Sequence, residues 1–447
     1  SNIFLFELLL IIYKIFYKNK NKNQLLATSP ERNLSEVVKR TNKFKHRFLP
    51  VYLTSSPSFF FENFSLFIRG KIMIFKRTFS YISPKYQKEF ICFKKNISKA
   101  VLLIDKINSN ENEYKYLEIE LNIFLRKFLY NDVVDLFRSY VGLKKINQNN
   151  GNNLLFLAQH ALGFNGLVGE FSCNESFLSI LITHGSHVKQ TNKFSRLGWA
   201  ETNKILINAK FTFSAIQTPL AYEYFKNEIN QKSKPLITGP LIFGGDKKKY
   251  LSRKALYKEH SKKFIFLHAG TPKEWNYFRP IVYETIDEYI QNLSDIIDAV
   301  KNIKNAFLAI RFREMNNLKL SELKELLPKE NCYQIFTDKT FCDYLINSDF
   351  LISYSSTTIE ESLINKKPVV LYNPKNQYLH LKGTQLNKKK STKHSRDNLL
   401  PIYNINNKKD LTFGLNYIQN KFHNKNVKFL WNNFLYEKGK RHAYENV

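Results

Sequence analysis

The chain contains no C-x-x-C pair: its four cysteines, Cys92, Cys173, Cys332 and Cys342, lie far apart in 447 residues. That spacing excludes a zinc ribbon and a disulfide framework. Reduced thiols in a cytosolic setting are the simple expectation. Also missing is an unbroken apolar run of the roughly 20 residues needed to span a bilayer. The nearest stretch, residues 3–17 (IFLFELLLIIYKIFY), is interrupted by Glu7 and Lys14 and followed by Lys18, Lys20 and Lys22. It reads as an interfacial anchor or a buried N-terminal helix. No small-residue cleavage site follows it, so a cleaved signal peptide is not expected. The chain opens on Ser1, so a processed or truncated start is expected. Acidic residues are scarce, 38 against 69 basic ones, which leaves a formal charge of +31. Such a field attracts polyanions. Zinc-finger spacing, an RNP-like run and basic-helix heptads are all absent, so sequence-specific nucleic-acid binding is not expected. An anionic membrane surface and nucleotide-linked small molecules remain as partners. No full glycine-rich dinucleotide fingerprint occurs.

What is present is an alternation of short apolar runs and helical periodicities. At this length two domains are the default. Residues 1–48 read as an apolar N-terminal helix and a basic, Lys/Asn-rich linker. From residue 49 short apolar runs such as 48–53, 71–75 and 100–104 alternate with polar stretches, and 114–142 carries helical spacing. Residues 234–250 combine Pro235, Gly239, Pro240, Gly244 and Gly245 with Lys247 to Lys249, the punctuation of a linker. Strands are then expected at 264–268, 306–311, 333–336, 350–353 and 368–372, with helices at 287–303, 320–327, 340–347 and 359–365. Residues 384–408 read as an exposed basic loop, and 409–436 as helix. The expected class is α/β with mostly parallel sheets. The domains expected are 49–233, 251–410 and a closing helical segment at 411–447.

Four places carry candidate chemistry. The first is 349–372, DFLISYSSTTIEESLINKKPVVLY. Here Ser355, Ser356, Thr357 and Thr358 stand between an apolar strand and a short helix with Glu360 and Glu361 in its first turn. Unpaired N–H groups at a helix start favour anions, and small hydroxyls add donors. Ordinary helix capping would use the same residue types. The second is Thr183-His184-Gly185-Ser186-His187, after an apolar run at 177–182. A histidine at a strand's carboxyl end can take a proton from a hydroxyl, its ordinary pKa being about 6.5. His187 is an alternative, and so is a carboxylate from Glu170 or Glu175. Third, His268-Ala269-Gly270-Thr271 follows a strand and can cradle phosphate on backbone N–H groups. Fourth, Arg311 and Arg313 flank Phe312 after another strand, and arginine forks onto phosphate.

The block at 349–372 resembles the donor-nucleotide end of GT-B glycosyltransferases. It looks closest to bacterial enzymes that build surface polysaccharide, and more distantly to the CDP-glycerol polymerases of teichoic acid synthesis. The resemblance covers about residues 150–375 and includes the His-Gly turn at 184–185. It implies a GT-B fold, two Rossmann-like domains facing across a cleft, and a transferase that moves a sugar from a nucleotide-sugar donor to a glycan or lipid-linked acceptor of the cell envelope. His184 would be the base, with Glu170 as substitute. His268, Gly270, Thr271, Arg311, Arg313, Ser355, Ser356, Thr357, Glu360 and Glu361 would hold the donor nucleotide. No cofactor is expected, and metal is not expected either. Cytoplasmic placement, peripheral on the inner face of the membrane, is the matching location. Alternatives are a CDP-glycerol-type polyol-phosphate transferase, a nucleotide-sugar 2-epimerase, and a non-catalytic basic protein that binds polyanions. Those epimerases carry Ser-Gly-Gly where this chain has Ser355-Ser356-Thr357, and the His-Pro pair of sialyl- and Kdo-type transferases is missing near 311–314.

Overall fold

A computed structural model of the chain describes residues 4–5, 8–9, 24–28, 34, 37–38, 48–54, 56–76, 84–104, 115–149, 153–175, 177–183, 206, 209–228, 232–239, 241, 250–270, 284–314, 318–354, 356–372, 374, 381, 383–388, 400–422, 429 and 431. Among the described residues, fourteen strands form two seven-stranded sheets. The first holds β1 (Gln24–Thr28), β2 (Phe48–Thr54), β3 (Met73–Lys76), β4 (Leu154–Ala158), β5 (Leu178–Leu181), β6 (Phe213–Ile216) and β7 (Lys234–Ile237), in the order β3-β2-β1-β4-β5-β6-β7. The second holds β8 (Phe264–Ala269), β9 (Ala306–Arg311), β10 (Tyr333–Phe336), β11 (Phe350–Ser353), β12 (Val369–Tyr372), β13 (Thr384–Gln385) and β14 (Ile402–Ile405), in the order β10-β9-β8-β11-β12-β14-β13. Pairing is parallel from β3 through β6 and throughout the second sheet. Both sheets start in the middle, build outward to one edge, then return to the other side of the first strand. That is the doubly wound order of Rossmann-like domains.

The central strands of the second sheet, β8, β9, β11 and β12, are largely apolar because both faces are covered. On one face, Phe264, Phe266, Leu308 and Ile352 meet Leu293, Ile297 and Val300 of the helix Ile286–Lys301 and Leu415 and Ile418 of the helix Lys408–Phe422. On the other, Ile265, Leu267 and Phe307 meet Tyr257, Tyr344, Leu345, Ile359 and Leu363 from three short helices. A polar clamp fixes the amino-terminal ends of β8 and β11. Asp349 takes two guanidinium hydrogen bonds from Arg253 (3.1 and 2.7 Å) and the N–H of Ile265 (2.7 Å). Arg253 also donates to the carbonyls of Ser261 and Lys263. The buried carboxylate of Asp295 joins Gln291, Tyr372 and Lys408, tying a helix to β12 and to the C-terminal helix.

The chain divides into two compact units. One comprises residues 1–183, 204–215 and 231–236, and the other comprises 184–203, 216–230 and 237–447. Four expectations are corrected. Residues 18–48 are not all linker: Gln24–Thr28 is the strand between β2 and β4, in the middle of its sheet. The stretch 100–104 is the end of a 21-residue helix, Pro84–Ile104, not a strand. The supposed linker 234–250 contains edge strand β7, and the supposed loop 384–408 contains β13 and β14.

Candidate functional site

In an open α/β sheet the ligand crevice lies beyond the carboxyl ends of the strands, where the strand order reverses. In the second sheet that point falls between β8 and β11, which pair with Ile352 opposite His268. Two of the four sequence candidates end there. The carbonyl of Ala269, last residue of β8, accepts hydrogen bonds from Ser353 Oγ (2.9 Å) and Thr358 Oγ1 (3.2 Å). The turn after β11 is thus tied to the end of β8. Ser356 behaves as a cap: its Oγ accepts from the N–H of Thr358, and its carbonyl from Ile359. Thr357, the N-cap residue, makes no side-chain cap bond. The amides of Glu360 and Glu361 both reach the Thr357 carbonyl. The amides of Thr358, Ile359, Glu360 and Glu361 are therefore all committed within the turn and the helix start. Ser355 lies outside the described residues, as does Thr271.

Glu360 and Glu361 are both half-buried. Loss of water pushes the Glu361 carboxyl up to about 7, so near neutral pH it is divided between acid and carboxylate. Tyr250, whose hydroxyl is pushed up to about 12 by burial and by its contact with Cys342, feels the Glu361 charge.

His268 is only 4% exposed. Burial holds its imidazole down at about 4, so at neutral pH it carries no charge to offer a phosphate. Among the described residues its Nδ1 finds no hydrogen-bond partner, and neither does the hydroxyl of fully buried Tyr289. Gly270 lies against both rings. A Cβ there would sit 3.3 Å from His268 Cε1 and 3.3 Å from Tyr289 Cε2, tighter than ordinary contact. The glycine thus lets the strand end settle on the two aromatic edges.

Arg311, one strand away at the end of β9, has its guanidinium spent on the backbone. It donates to the carbonyls of Lys339 (3.2 Å) and Phe336 (3.2 Å) and to that of Phe312. It pins the ends of β9 and β10. Arg313 is exposed, and Glu314 accepts from the N–H of Leu320 at the start of a helix.

In the first sheet, β5 delivers Thr183, 4% exposed, at its carboxyl end. His184 and His187 follow immediately and lie outside the described residues. Glu170 and Glu175 belong to the opposite edge. Glu170, in the last turn of the helix Gly163–Ser172, pairs in solvent with Lys210 at 3.0 Å, just before β6. Glu175 accepts from Lys144 (2.8 Å) and Tyr140 (2.9 Å), which hold its carboxyl below the ordinary range against the opposing pull of burial. It lines a cavity of about 790 Å³ with Asn153, Phe177, Phe211, Lys232 and Pro235, at the amino-terminal ends of the strands. Sequence reading passed over His160. It follows β4 at the first sheet's own reversal point, between β1 and β4, and its Nδ1 accepts from the N–H of Leu162 (3.3 Å). That bond puts the ring proton of the neutral form on Nε2. The sign that could have found it is the run LLFLA followed by Gln159-His160 and a turn through Gly163, whose φ is +51°.

No protein-family model matches the chain, and no curated protein matches it by sequence. Solved structures do. A protein from Listeria monocytogenes assigned as a UDP-N-acetylglucosamine 2-epimerase superposes with a TM-score of 0.53 at 10% identity, over 95% of this chain and 94% of that one. The UDP complex of MnaA from S. aureus gives 0.48 at 11% identity, over 94% of each chain. The wall teichoic acid polymerase TagF, in a variant soaked with CDPG, gives 0.38 at 11% identity, over 95% and 90%. At these identities the likeness speaks to fold alone. Two Rossmann-like domains, each with a parallel seven-stranded sheet, make this chain a GT-B fold protein.

Proposed function

We propose that the chain is a nucleotide-sugar-dependent glycosyltransferase that acts on a surface polysaccharide or glycolipid acceptor of the cell envelope. The observation that carries this reading is the meeting of the His268–Gly270 turn and the 353–358 turn at the reversal point of the second sheet, joined through the Ala269 carbonyl. The donor diphosphate sits over the turn 355–357, where small side chains allow close approach. Glu360 and Glu361 accept from the ribose hydroxyls. Gly270 gives the donor a flat floor over the neutral His268 ring. Glycosyl transfer breaks the bond from the anomeric carbon to the diphosphate oxygen, which leaves with the electron pair. Groups fixed around that oxygen before reaction stabilise the developing charge. His184 takes the proton of the attacking acceptor hydroxyl. Glu170 is not carried into this scheme, since its ion pair with Lys210 lies at the amino-terminal edge.

A thermal-shift screen against nucleoside diphosphates, followed by labelled nucleotide sugars, UDP-N-acetylglucosamine and CDP-glycerol, tests the reading. Selective stabilisation by one nucleotide and transfer of its sugar to an acceptor are expected. Epimerised free nucleotide sugar, or glycerol phosphate transfer, would replace this reading with one of its relatives. Uniform binding of every polyanion that vanishes in salt would remove the enzyme altogether.

A further inference from the structure

The helices between β3 and β4 leave large apolar side chains in water. The helix Pro84–Ile104 buries Tyr86, Ile97 and Val101 along one side, where Phe93 stacks on Phe137 and Phe90 meets the same ring at a tilt. At about 100° per residue, the opposite side carries Ile91, Leu102 and Leu103, with Lys88, Lys95 and Lys99 between them. Leu103 is 64% exposed. The helix packs against its successor, Lys115–Lys127, and against the π-helical turn Phe128–Val133. Those two expose Ile123, Phe124, Phe128 and Tyr130, with Phe124 at 62%. Arg126 and Lys127 are exposed beside them.

We propose that this outer surface docks on an anionic lipid bilayer, with the helices lying in the headgroup layer. Apolar and basic side chains interleaved on one helix side are what an interfacial helix presents: the apolar groups enter the acyl boundary while lysine stems lie along it and lift their charge to the phosphates. Among the exposed, described side chains of 84–133, the acids Glu89, Glu120 and Asp132 are outnumbered by Lys88, Lys94, Lys95, Lys99, Arg126 and Lys127. A second copy of the chain is a poorer occupant. An isologous contact would set these lysines against their own copies, in a chain already at +31. No described helix is long and apolar enough to cross a membrane, so the contact is docking rather than insertion. The proposal stands on these helices alone and holds whether or not the chain transfers a sugar.

Cys92 is exposed on the same helix side and serves as a reporter. The full chain, with Cys173, Cys332 and Cys342 changed to Ser, is labelled at Cys92 with a polarity-sensitive dye. It is then mixed with phosphatidylcholine vesicles, with or without about 30 mol% phosphatidylglycerol. Co-sedimentation of the unlabelled chain and a blue shift of the dye are expected with the anionic vesicles alone. L103S/F124S and K88E/K95E/K99E should each weaken binding by roughly tenfold or more, with circular dichroism unchanged because the sites are exposed. Absence of vesicle binding overturns the proposal. So does binding that leaves the Cys92 dye unshifted, since another segment then carries it. A dimer in sedimentation velocity that L103S/F124S dissolves, without vesicle binding, assigns the surface to a second copy instead.

Discussion

The two sheets share the order of their first five strands and differ in the last two and in what their carboxyl edges offer. At its reversal point the second sheet sets hydroxyls and half-buried carboxylates around a backbone turn, with a neutral imidazole sealed beneath. The first ends β1 on buried Thr28 and β4 on Ala158, then presents His160, while β5 leads from Thr183 into His184. One edge gathers hydroxyls and carboxylates; the other is followed in the sequence by histidines. A shared order around the reversal point therefore does not make the two halves chemically equivalent: the residues just beyond the strands set the role.

Four experiments press on that contrast. The largest effect is expected at the first edge. His184→Ala should lower turnover by roughly 10²–10⁴-fold while nucleotide affinity stays put. Loss of nucleotide binding with turnover per bound donor unchanged would move the base elsewhere, and His160→Ala is then the variant to measure. At the second edge, Ser356→Trp should abolish the thermal shift given by the preferred nucleotide; a shift that survives removes the donor from that turn. Asp349→Asn, far from chemistry, should cost about 2 kcal/mol in urea unfolding, because the Arg253 fork and the Ile265 amide lose their charged acceptor. A change within error would mean that packing alone holds β8 to β11.

The smallest effect is a pH dependence. The Glu361 carboxyl is raised from 4.5 to about 7 in the folded chain, so the folded state binds more protons than the unfolded one between those values. Its stabilising contribution is complete below the lower value and is lost as pH rises through the upper one. Glu361→Gln should therefore match the wild-type melting temperature near about pH 5 and exceed it near about pH 8. His268 works in the opposite sense. Its pKa falls from 6.5 to about 4 on folding, so its contribution is lost as pH drops through that window. An equal offset for Glu361→Gln at both pH values would show that burial does not perturb the carboxyl.

The second sheet was far easier to read in the sequence than the first. Strands β8, β9, β11 and β12 are nearly continuous apolar runs, and clear helix starts such as Thr285 and Thr340, both of which form capping boxes, bound this stretch of the chain. By contrast β1 is five residues, QLLAT, set among lysines and asparagines. Its burial comes from β2 and β4 on either side, and nothing local announces them. Residues 100–104 (AVLLI) have a strand's composition, yet they continue a helical spacing through Tyr86, Phe90, Phe93, Ile97 and Val101. At the site, residue types pointed to both turns of the second sheet. They did not show that Ser356 is spent as a cap, which depends on the local shape of the turn, or that Arg311 is spent on carbonyls, which arises only when β9 and β10 are paired.

The placement of β1 has a consequence for how the chain reaches its fold. Leu25 pairs with Leu154, so β1 must wait for about 130 further residues (154 − 25 = 129) before its second neighbour exists. Such a separation of partners slows folding, because the loop-closure entropy comes before any reward from pairing. The second sheet has a shorter wait for the equivalent pair: Phe266 of β8 meets Phe350 of β11 after about 84 residues (350 − 266 = 84). During synthesis the apolar 24–28 segment and the surfaces of β2 and β3 stay uncovered the longest. Conditions that slow elongation or deplete chaperones should therefore damage the first domain before the second.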